Sequence, residues 1–328
     1  MSSSSSNFPI ICLLGPTAIG KSQLAFNLTD LLQDKFKLKT RIISVDAAQV
    51  YKYMNIGTAK PDFITQKKYQ HHLIDLIEPE ENFSAADFAR LANIEIAQAH
   101  KNGEIPLMVG GTMMYFSLFF CGMNNLPASN PELRQKLEEK FAQDDGNTLY
   151  QELLNRDPKI AEKISPHDRQ RILRFSELIL LSNKTPSELF AEEKTISPHR
   201  KQAKFFACNC DRTELHQRIS DRLQTMFAAG FIEEVAELYR RPNLTAEHSS
   251  MRSVGYRQIW QFLDSKIDRK TAEEQSLFAT RQLAKRQITW LNNNLRKNLP
   301  EMIYLNPLDK NQIAEFEKNI CNLLENWK

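Results

Sequence analysis

The stretch that most restricts this chain is "GPTAIGKS", Gly15–Ser22, which directly follows the apolar run "IICLL". The run is short and aliphatic, as a strand buried on both faces must be. From Ser22 onward, Leu24, Leu28, Leu31 and Leu32 recur at helical spacing. A strand, a glycine-bounded turn and a helix in that order make a phosphate-binding loop. Gly15 and Gly20 permit a tight turn, spanned by Pro16, Thr17, Ala18 and Ile19, whose backbone amides converge on an anion. Lys21 adds positive charge. Ser22 offers a hydroxyl to Mg2+ and opens a helix whose N-terminal dipole favours phosphate. Such a loop usually takes ATP or GTP, but it recognises linked phosphates without regard to what they are attached to.

Two more buried-strand candidates follow: "RIISV", ending at Asp46, and "IPLMV", ending at Gly110 ahead of a helical "MMYFSLFF". Strands alternating with helices predict an α/β fold. We expect a P-loop NTPase-like core with a parallel sheet flanked by helices and its site beyond the carboxyl ends of the strands. Asp46 and the triplet Gly110, Gly111, Thr112 fall at such ends, and the two glycines are expected to let backbone approach a nucleotide. Character changes after Gly122. Residues 125–196 are polar and helical, with turn signals at Pro127, Pro131, Pro158 and Pro166, and read as a helical insertion domain. The catalytic core is then residues 1–124 and 197–328. "KQAKFFACNC" returns the chain to the sheet, and amphipathic helices follow, with a break at Gly230.

No stretch approaches the roughly 18 apolar residues of a membrane helix. The opening "MSSSSSNFPIICLLG" has no basic segment ahead of its apolar run, so its serines read as a disordered lead-in. Five cysteines are scattered, and the pair Cys208 and Cys210 has neither zinc-ligand nor redox spacing. A cytoplasmic monomer with no membrane partner is expected. Formal net charge is +3, which says little about partners. The segment "FATRQLAKRQITWLNNNLRKNLP" says more: Arg281, Lys285, Arg286, Arg296 and Lys297 stand in it without one acid. That face suits a polyanion, or else a solvated surface helix. His71 and His72 point to opposite sides of an extended chain, and no further ligand joins them. His72 is expected to be a structural hydrogen-bonder, and no zinc module is expected in the C-terminal tail.

A phosphoryl-transfer enzyme needs an acid at a strand end to hold Mg2+. Asp46 is available, yet "DAAQVYKYMNIGTAKP" looks unlike a metal-binding turn. It brings together Asp46, Gln49 and Tyr51, polar groups suited to the edge of a planar heterocycle.

"GPTAIGKS", "ISVDAAQVYKYMNIGTAKP", "HHLIDLIEPEENFSAADFA", "PLMVGGTMMYF", "DRQRILR", "RSVGYRQIW" and "TRQLAKRQITWL" occur in this order. Over residues 10–292 the chain thereby resembles the tRNA dimethylallyltransferases of bacterial type, the IPP transferase family. The resemblance implies transfer of a dimethylallyl group from dimethylallyl diphosphate to the exocyclic amine of the adenosine just 3′ of a tRNA anticodon. It implies that the loop grips a diphosphate that leaves, with Lys21 and Mg2+ stabilising the charge it carries away.

By the same resemblance Asp46 is the general base, although an aspartate there also suits a turn cap or an Mg2+ ligand. The family usually has serine where this chain has Ala47. Thr17 and Thr112 resemble substrate-contacting positions, and Thr112 equally suits a helix N-cap. Contacts to tRNA are implied for Asp46, Ala47, Ala48, Gln49 and Thr112. In the insertion they are implied for Arg134, Gln170, Arg171, Ile172, Leu173 and Arg174. Beyond it they are implied for Arg252, Ser253, Val254, Gly255, Tyr256 and Arg257, and for Arg281, Lys285 and Arg286. Tyr256 suits either base stacking or a core position. Two other functions remain open to the residues alone: a P-loop small-molecule or nucleotide kinase, and a nucleotide-gated RNA-binding protein.

Overall fold

A computed structural model describes residues 7–327, so the serine lead-in lies outside the described residues. The first strand, β1 (Ile10–Leu14), is buried along its whole length and pairs in parallel with strands on both sides. Helix α1 (Lys21–Phe36) lays Leu24, Ala25, Leu28 and Leu32 into the core, where each leucine contributes roughly 1.5–3 kcal/mol. The chain continues through β2 (Thr40–Val45), α2 (Phe63–Lys68), β3 (His71–His72), α3 (Ala85–Asn102), β4 (Ile105–Gly110) and α4 (Met113–Cys121). After an excursion described below come β5 (Ala203–Cys208) and four helices to be named with it, then a final strand that closes the sheet. The strand order is β3-β2-β4-β1-β5 and then that last strand, with every pairing parallel.

Register decides where the site lies. Leu14 stands opposite Gly110 and Ala207, and Val45 opposite Gly110. The carboxyl ends of β1, β2 and β4 are therefore level, and Gly15, Asp46 and Gly111 leave the sheet side by side. Gly110 is demanded by that alignment: a Cβ there would sit 2.0 Å from the Val45 carbonyl oxygen. At Gly111 a Cβ would meet the Gln287 side-chain nitrogen at 2.6 Å. They make room for a neighbouring strand and for a glutamine. Both glycines also line the cleft at the strand ends, where a nucleotide is expected to approach them.

The excursion is a unit of its own, Gly122–Ser197, while Met1–Cys121 and Pro198–Lys328 form the other. It holds α5 (Pro131–Asp144), α6 (Asn147–Arg156), α7 (Pro158–Ala161), α8 (Arg169–Ser182) and α9 (Pro186–Ala191), joined at its base by an antiparallel bridge between Met123 and Thr195. Each helix has a polar N-cap or an N-terminal proline where the sequence breaks, apart from α6, which starts at Gly146. Its core gathers Leu137, Phe141, Leu149, Leu153, Ile172 and Leu173. Ile172 and Leu173 are fully enclosed there, which contradicts an RNA contact by their side chains: α8 turns its apolar face inward. Glu177 is buried on the same helix and accepts from Ser129 Oγ at 2.6 Å, Asn130 N at 2.9 Å and Arg174 Nη1 at 2.7 Å. Arg174 also donates to the Pro127 carbonyl at 2.6 Å, so this arginine braces the unit.

After β5 the main unit continues with α10 (Arg212–Ala228), α11 (Phe231–Tyr239), α12 (Tyr256–Leu263) and α13 (Arg269–Trp290). Gly230, at φ 99°, separates α10 from α11. A π-helical turn at Leu291–Leu295, a short α14 (Arg296–Asn298), β6 (Ile303–Leu305) and α15 (Lys310–Glu325) complete the chain. Strand β6 pairs with β5, and Phe316 of α15 packs edge-on against Phe206 with ring centres 4.8 Å apart. At the opposite sheet edge, His72 Nδ1 lies 3.1 Å from Glu95 and 3.2 Å from Arg41 Nη1, the hydrogen-bonding part expected of it. A second core gathers Val50, Tyr51, Met54, Phe231, Tyr256 and Trp260.

Candidate active site

Between β1 and α1 the chain turns through Ala18 at φ 64° and Gly20 at φ 110°. Gly20 caps α1 without a side-chain hydrogen bond, and no acid occupies the first turn. The positive end of the helix is thus left to whatever anion arrives. Lys21 is folded back, donating to the Pro16 carbonyl at 2.7 Å. Burial, with Arg222 nearby, outweighs the attraction of Asp46 and pushes the Lys21 ammonium down to about 8. An ammonium held below its ordinary value in a cleft wants a counter-anion.

The loop is completed from far along the chain. From α10, Arg218 Nε donates to the Ala18 carbonyl at 2.9 Å, and Arg222 Nη1 reaches the Thr17 hydroxyl at 3.4 Å. From α13, Gln287 Oε1 accepts from Thr17 N at 2.9 Å and its amide nitrogen donates to the Gly111 carbonyl at 2.9 Å. Burial lowers the Arg222 guanidinium, although Asp46 pulls the other way. Arg218, Asp221, Arg222 and Gln287 were not singled out from the sequence. The signal was present for the arginines: positions 218 and 222 are one helical turn apart.

Asp46 sits where β2 ends. Its Oδ1 accepts from Ala48 N at 2.8 Å and Gln49 N at 3.2 Å, so it caps its own turn. Thr112 Oγ1 accepts from Ala47 N at 3.0 Å, tying the end of β4 to the same turn. Two cavities meet at this carboxylate. The first, about 540 Å³, is lined by Lys21, Ser22, Arg218, Asp221 and Arg222 among others. The second, about 120 Å³, is mostly apolar, with Ile219, Leu223, Met226, Phe231 and Leu283, and its rim includes Ser253, Val254 and Gly255. Thr17, Asp46, Arg222 and Gln287 line both.

Several expected contacts take a different part. Gln49 lines the first cavity, but its amide is engaged: it accepts from Ser44 Oγ at 2.9 Å and donates to the Thr58 carbonyl at 3.3 Å. Tyr51 is buried in the second core and is no base-edge reader. Tyr256 is 0% exposed; its hydroxyl donates to Glu234 Oε1 at 2.5 Å, so a stacking role is excluded by enclosure. Glu234 in turn accepts from the amides of Asn55, Ile56 and Gly57 at 2.7–3.2 Å, which locks the loop that floors the second cavity. Ala47 is exposed and Ala48 lines the second cavity. Arg252, Arg257, Lys285 and Arg286 are exposed. Arg281 is half-buried, its Nε enclosed without a partner, so it does not share an open stripe with Lys285. In the insertion unit Gln170 and Arg171 are exposed, Arg171 pairs with Asp168 at 3.1 Å, and Arg134 pairs with Glu138 at 3.0 Å. Among the described residues no helix is long and apolar enough to cross a membrane, and no group of three His, Cys, Asp or Glu is placed to hold a metal.

The sequence model of the family described as IPP transferase matches residues 49–294. A protein of Dichelobacter nodosus named tRNA dimethylallyltransferase is 50% identical over 295 residues, covering 90% of this chain and 91% of that one. Among solved structures, a full-length tRNA isopentenylpyrophosphate transferase from Bacillus halodurans superposes with a TM-score of 0.67 at 28% identity, covering 97% of each chain. A eukaryotic dimethylallyltransferase, described as acting on tRNA, superposes with a TM-score of 0.76 at 26% identity, covering 96% of this chain and 79% of that one.

Proposed function

This chain belongs to the IPP transferase family, and on that premise we propose that it is a tRNA dimethylallyltransferase. It moves a dimethylallyl group from dimethylallyl diphosphate to the exocyclic amine of the adenosine just 3′ of the anticodon. The kinase alternative is not favoured, since the relatives that match over most of the chain carry the transferase name. The observation that carries the reading is the meeting of a cationic and an apolar cavity at Asp46.

The diphosphate belongs in the first cavity. The uncapped start of α1, Lys21, Arg218 and Arg222 supply amides and cations to it. Mg2+ fits beside it: Ser22 and Asp221 line that cavity, a hydroxyl and a carboxylate of the kind that hold this ion together with substrate phosphates. When bound, it supplies charge neutralisation to the departing diphosphate. The purine enters through the second cavity, past residues 253–255. At the junction the amine nitrogen forms a bond to the allylic carbon, and the carbon–oxygen bond to the diphosphate breaks, its electron pair leaving with that group. The proton lost by the amine passes to the Asp46 carboxylate. Because negative charge grows on the diphosphate as it departs, fixed cations at that end lower the barrier more than they tighten the ground state. The Asp46 turn is held from outside by Thr112 and from within by its own two amide contacts, so the acceptor oxygen is set in place before substrate arrives.

The experiment is direct. The protein is incubated with dimethylallyl diphosphate, Mg2+ and an anticodon stem-loop RNA, and the nucleosides are analysed by mass spectrometry. Addition of one dimethylallyl group to adenosine is expected. Unmodified RNA with ATP consumed would return the kinase reading.

A further inference from the structure

Between β2 and β3 the chain makes an excursion that the reaction just described does not use. Its helix, α2, buries none of its side chains, and Phe63 and Ile64 are each 79% exposed. Two large apolar side chains set side by side in water are a feature that folding alone does not explain. Both ends of the excursion are held. Lys60, at its start, is buried and donates to the Tyr51 carbonyl at 2.8 Å, Asn55 Oδ1 at 3.1 Å and Asp75 Oδ1 at 2.5 Å. At its close, His71 and His72 pair with Ile42 and Ile43 of β2. Left-handed backbone flanks it at two non-glycine residues, Ala59 at φ 49° and Leu73 at φ 63°, a conformation that persists only where the surroundings enforce it. The stretch between, residues 61–70, is fastened by a largely exposed latch. Tyr69 stacks on Phe26 of α1 with ring centres 4.3 Å apart, and its hydroxyl and Lys68 Nζ reach Asp30 at 2.8 and 3.3 Å. The two ends of this stretch stand at the first cavity: Thr58 and Ala59, just before it, line that cavity, and so does Phe26, on which Tyr69 rests.

We propose that residues 61–70 are a flap, which closes over the first cavity when a diphosphate occupies it and shuts water out of the reaction. The anion drives the closing. Lys67 and Lys68, in the last turn of α2, gain it as a partner in the closed state alone, and a ligand shifts a conformational equilibrium only through such a difference. Phe63 and Ile64 then cover the mouth, where Phe26 offers an apolar ring, which accounts for their exposure in the empty protein. The flap suppresses a side reaction. An allylic diphosphate is open to water as well as to an amine. The water oxygen bonds to the allylic carbon, and the carbon–oxygen bond to the diphosphate breaks, its electron pair leaving with that group. One proton goes to solvent, and the product is dimethylallyl alcohol. Closure removes the competing nucleophile while the amine is in place. This inference rests on the transferase reading for the identity of the donor, but not for the motion.

The test follows amide hydrogen exchange of the full chain by mass spectrometry, with and without inorganic diphosphate and Mg2+. Exchange at residues 62–70 should slow about tenfold when the diphosphate binds, while α9 of the insertion unit exchanges as before. The double variant Phe63→Ser with Ile64→Ser should lose that protection. Both residues are exposed, so its melting temperature should not fall. Phe63→Leu with Ile64→Leu should regain the protection. A second measurement uses dimethylallyl diphosphate and Mg2+ without RNA: the serine variant should release dimethylallyl alcohol about tenfold faster than wild type. The proposal is overturned if residues 62–70 exchange unchanged at a diphosphate concentration that protects the first turn of α1. It is equally overturned if the serine variant gains protection and releases alcohol as wild type does. Hydrogen exchange needs no prenyl transfer. A flap that closes in a protein that leaves RNA unmodified would fault the transferase reading alone, and RNA prenylated by a protein whose flap never gains protection would fault the flap alone.

Discussion

The Lys21 ammonium is the most telling single group, because its environment is incomplete without an anion. The sign of its pH dependence follows from its downward shift to about 8 from 10.5. Below pH about 8 the native state carries a charge that burial penalises, which costs stability. Between about 8 and 10.5 the unfolded chain holds a proton that the native state has released, so stability of the empty protein rises with pH across that window. Thermal melts from pH 7 to 10 should show this rise, and Lys21→Met should flatten it. A diphosphate beside Lys21 reverses the shift, so binding at pH 9 should take up protons, seen as a buffer-dependent enthalpy in calorimetry; a buffer-independent enthalpy would place the anion elsewhere. The residue scale also shows where sequence reading reaches its limit. Residues 15–22 announce their chemistry because the loop's function is local. Tyr256, Ile172 and Leu173 lie inside motifs that resemble an RNA-binding family, yet they face inward. A motif marks a segment, and only packing decides which of its side chains faces out.

At the scale of elements, the three strands that carry the site were legible, since aliphatic runs ending in glycine or aspartate can hardly be anything else in an α/β chain. β3 and β6 were not. Two and three residues respectively are too short to show a period, and they pair only because the sheet is already there. The part of α13 was half legible: its basic residues stood out, but the residue that matters most to the loop is Gln287, which carries no charge. Its one side chain joins α13 to the phosphate loop and to the end of β4. Gln287→Leu keeps the size and strands the Thr17 amide, at a cost of about 1–3 kcal/mol. We expect a lower melting temperature and a raised KM for dimethylallyl diphosphate. A KM equal to that of wild type would mean that the loop holds its shape without this strut.

For the whole molecule, the first cavity joins chemistry from distant parts of the chain: a loop near residue 20, a carboxylate at 46, arginines at 218 and 222, a glutamine at 287. No local pattern reports that convergence, which is why Arg218 and Arg222 were found only in the fold. RNA held by exposed arginines and lysines should bind with a steep, linear fall of log affinity against log salt, while dimethylallyl diphosphate, enclosed at the loop, should be less sensitive. A flat salt response for the RNA would contradict a phosphate-tracking surface. The central claim is that two substrates meet at one carboxylate, and the isosteric change Asp46→Asn tests it most directly. Asparagine keeps an oxygen for the amides of Ala48 and Gln49, so the turn survives, but it cannot accept the amine's proton. Measured in a single turnover with both substrates saturating, prenyl transfer should slow by about 10²–10⁴ while RNA and diphosphate bind as before. A single-turnover rate equal to that of wild type would show that Asp46 only caps its turn.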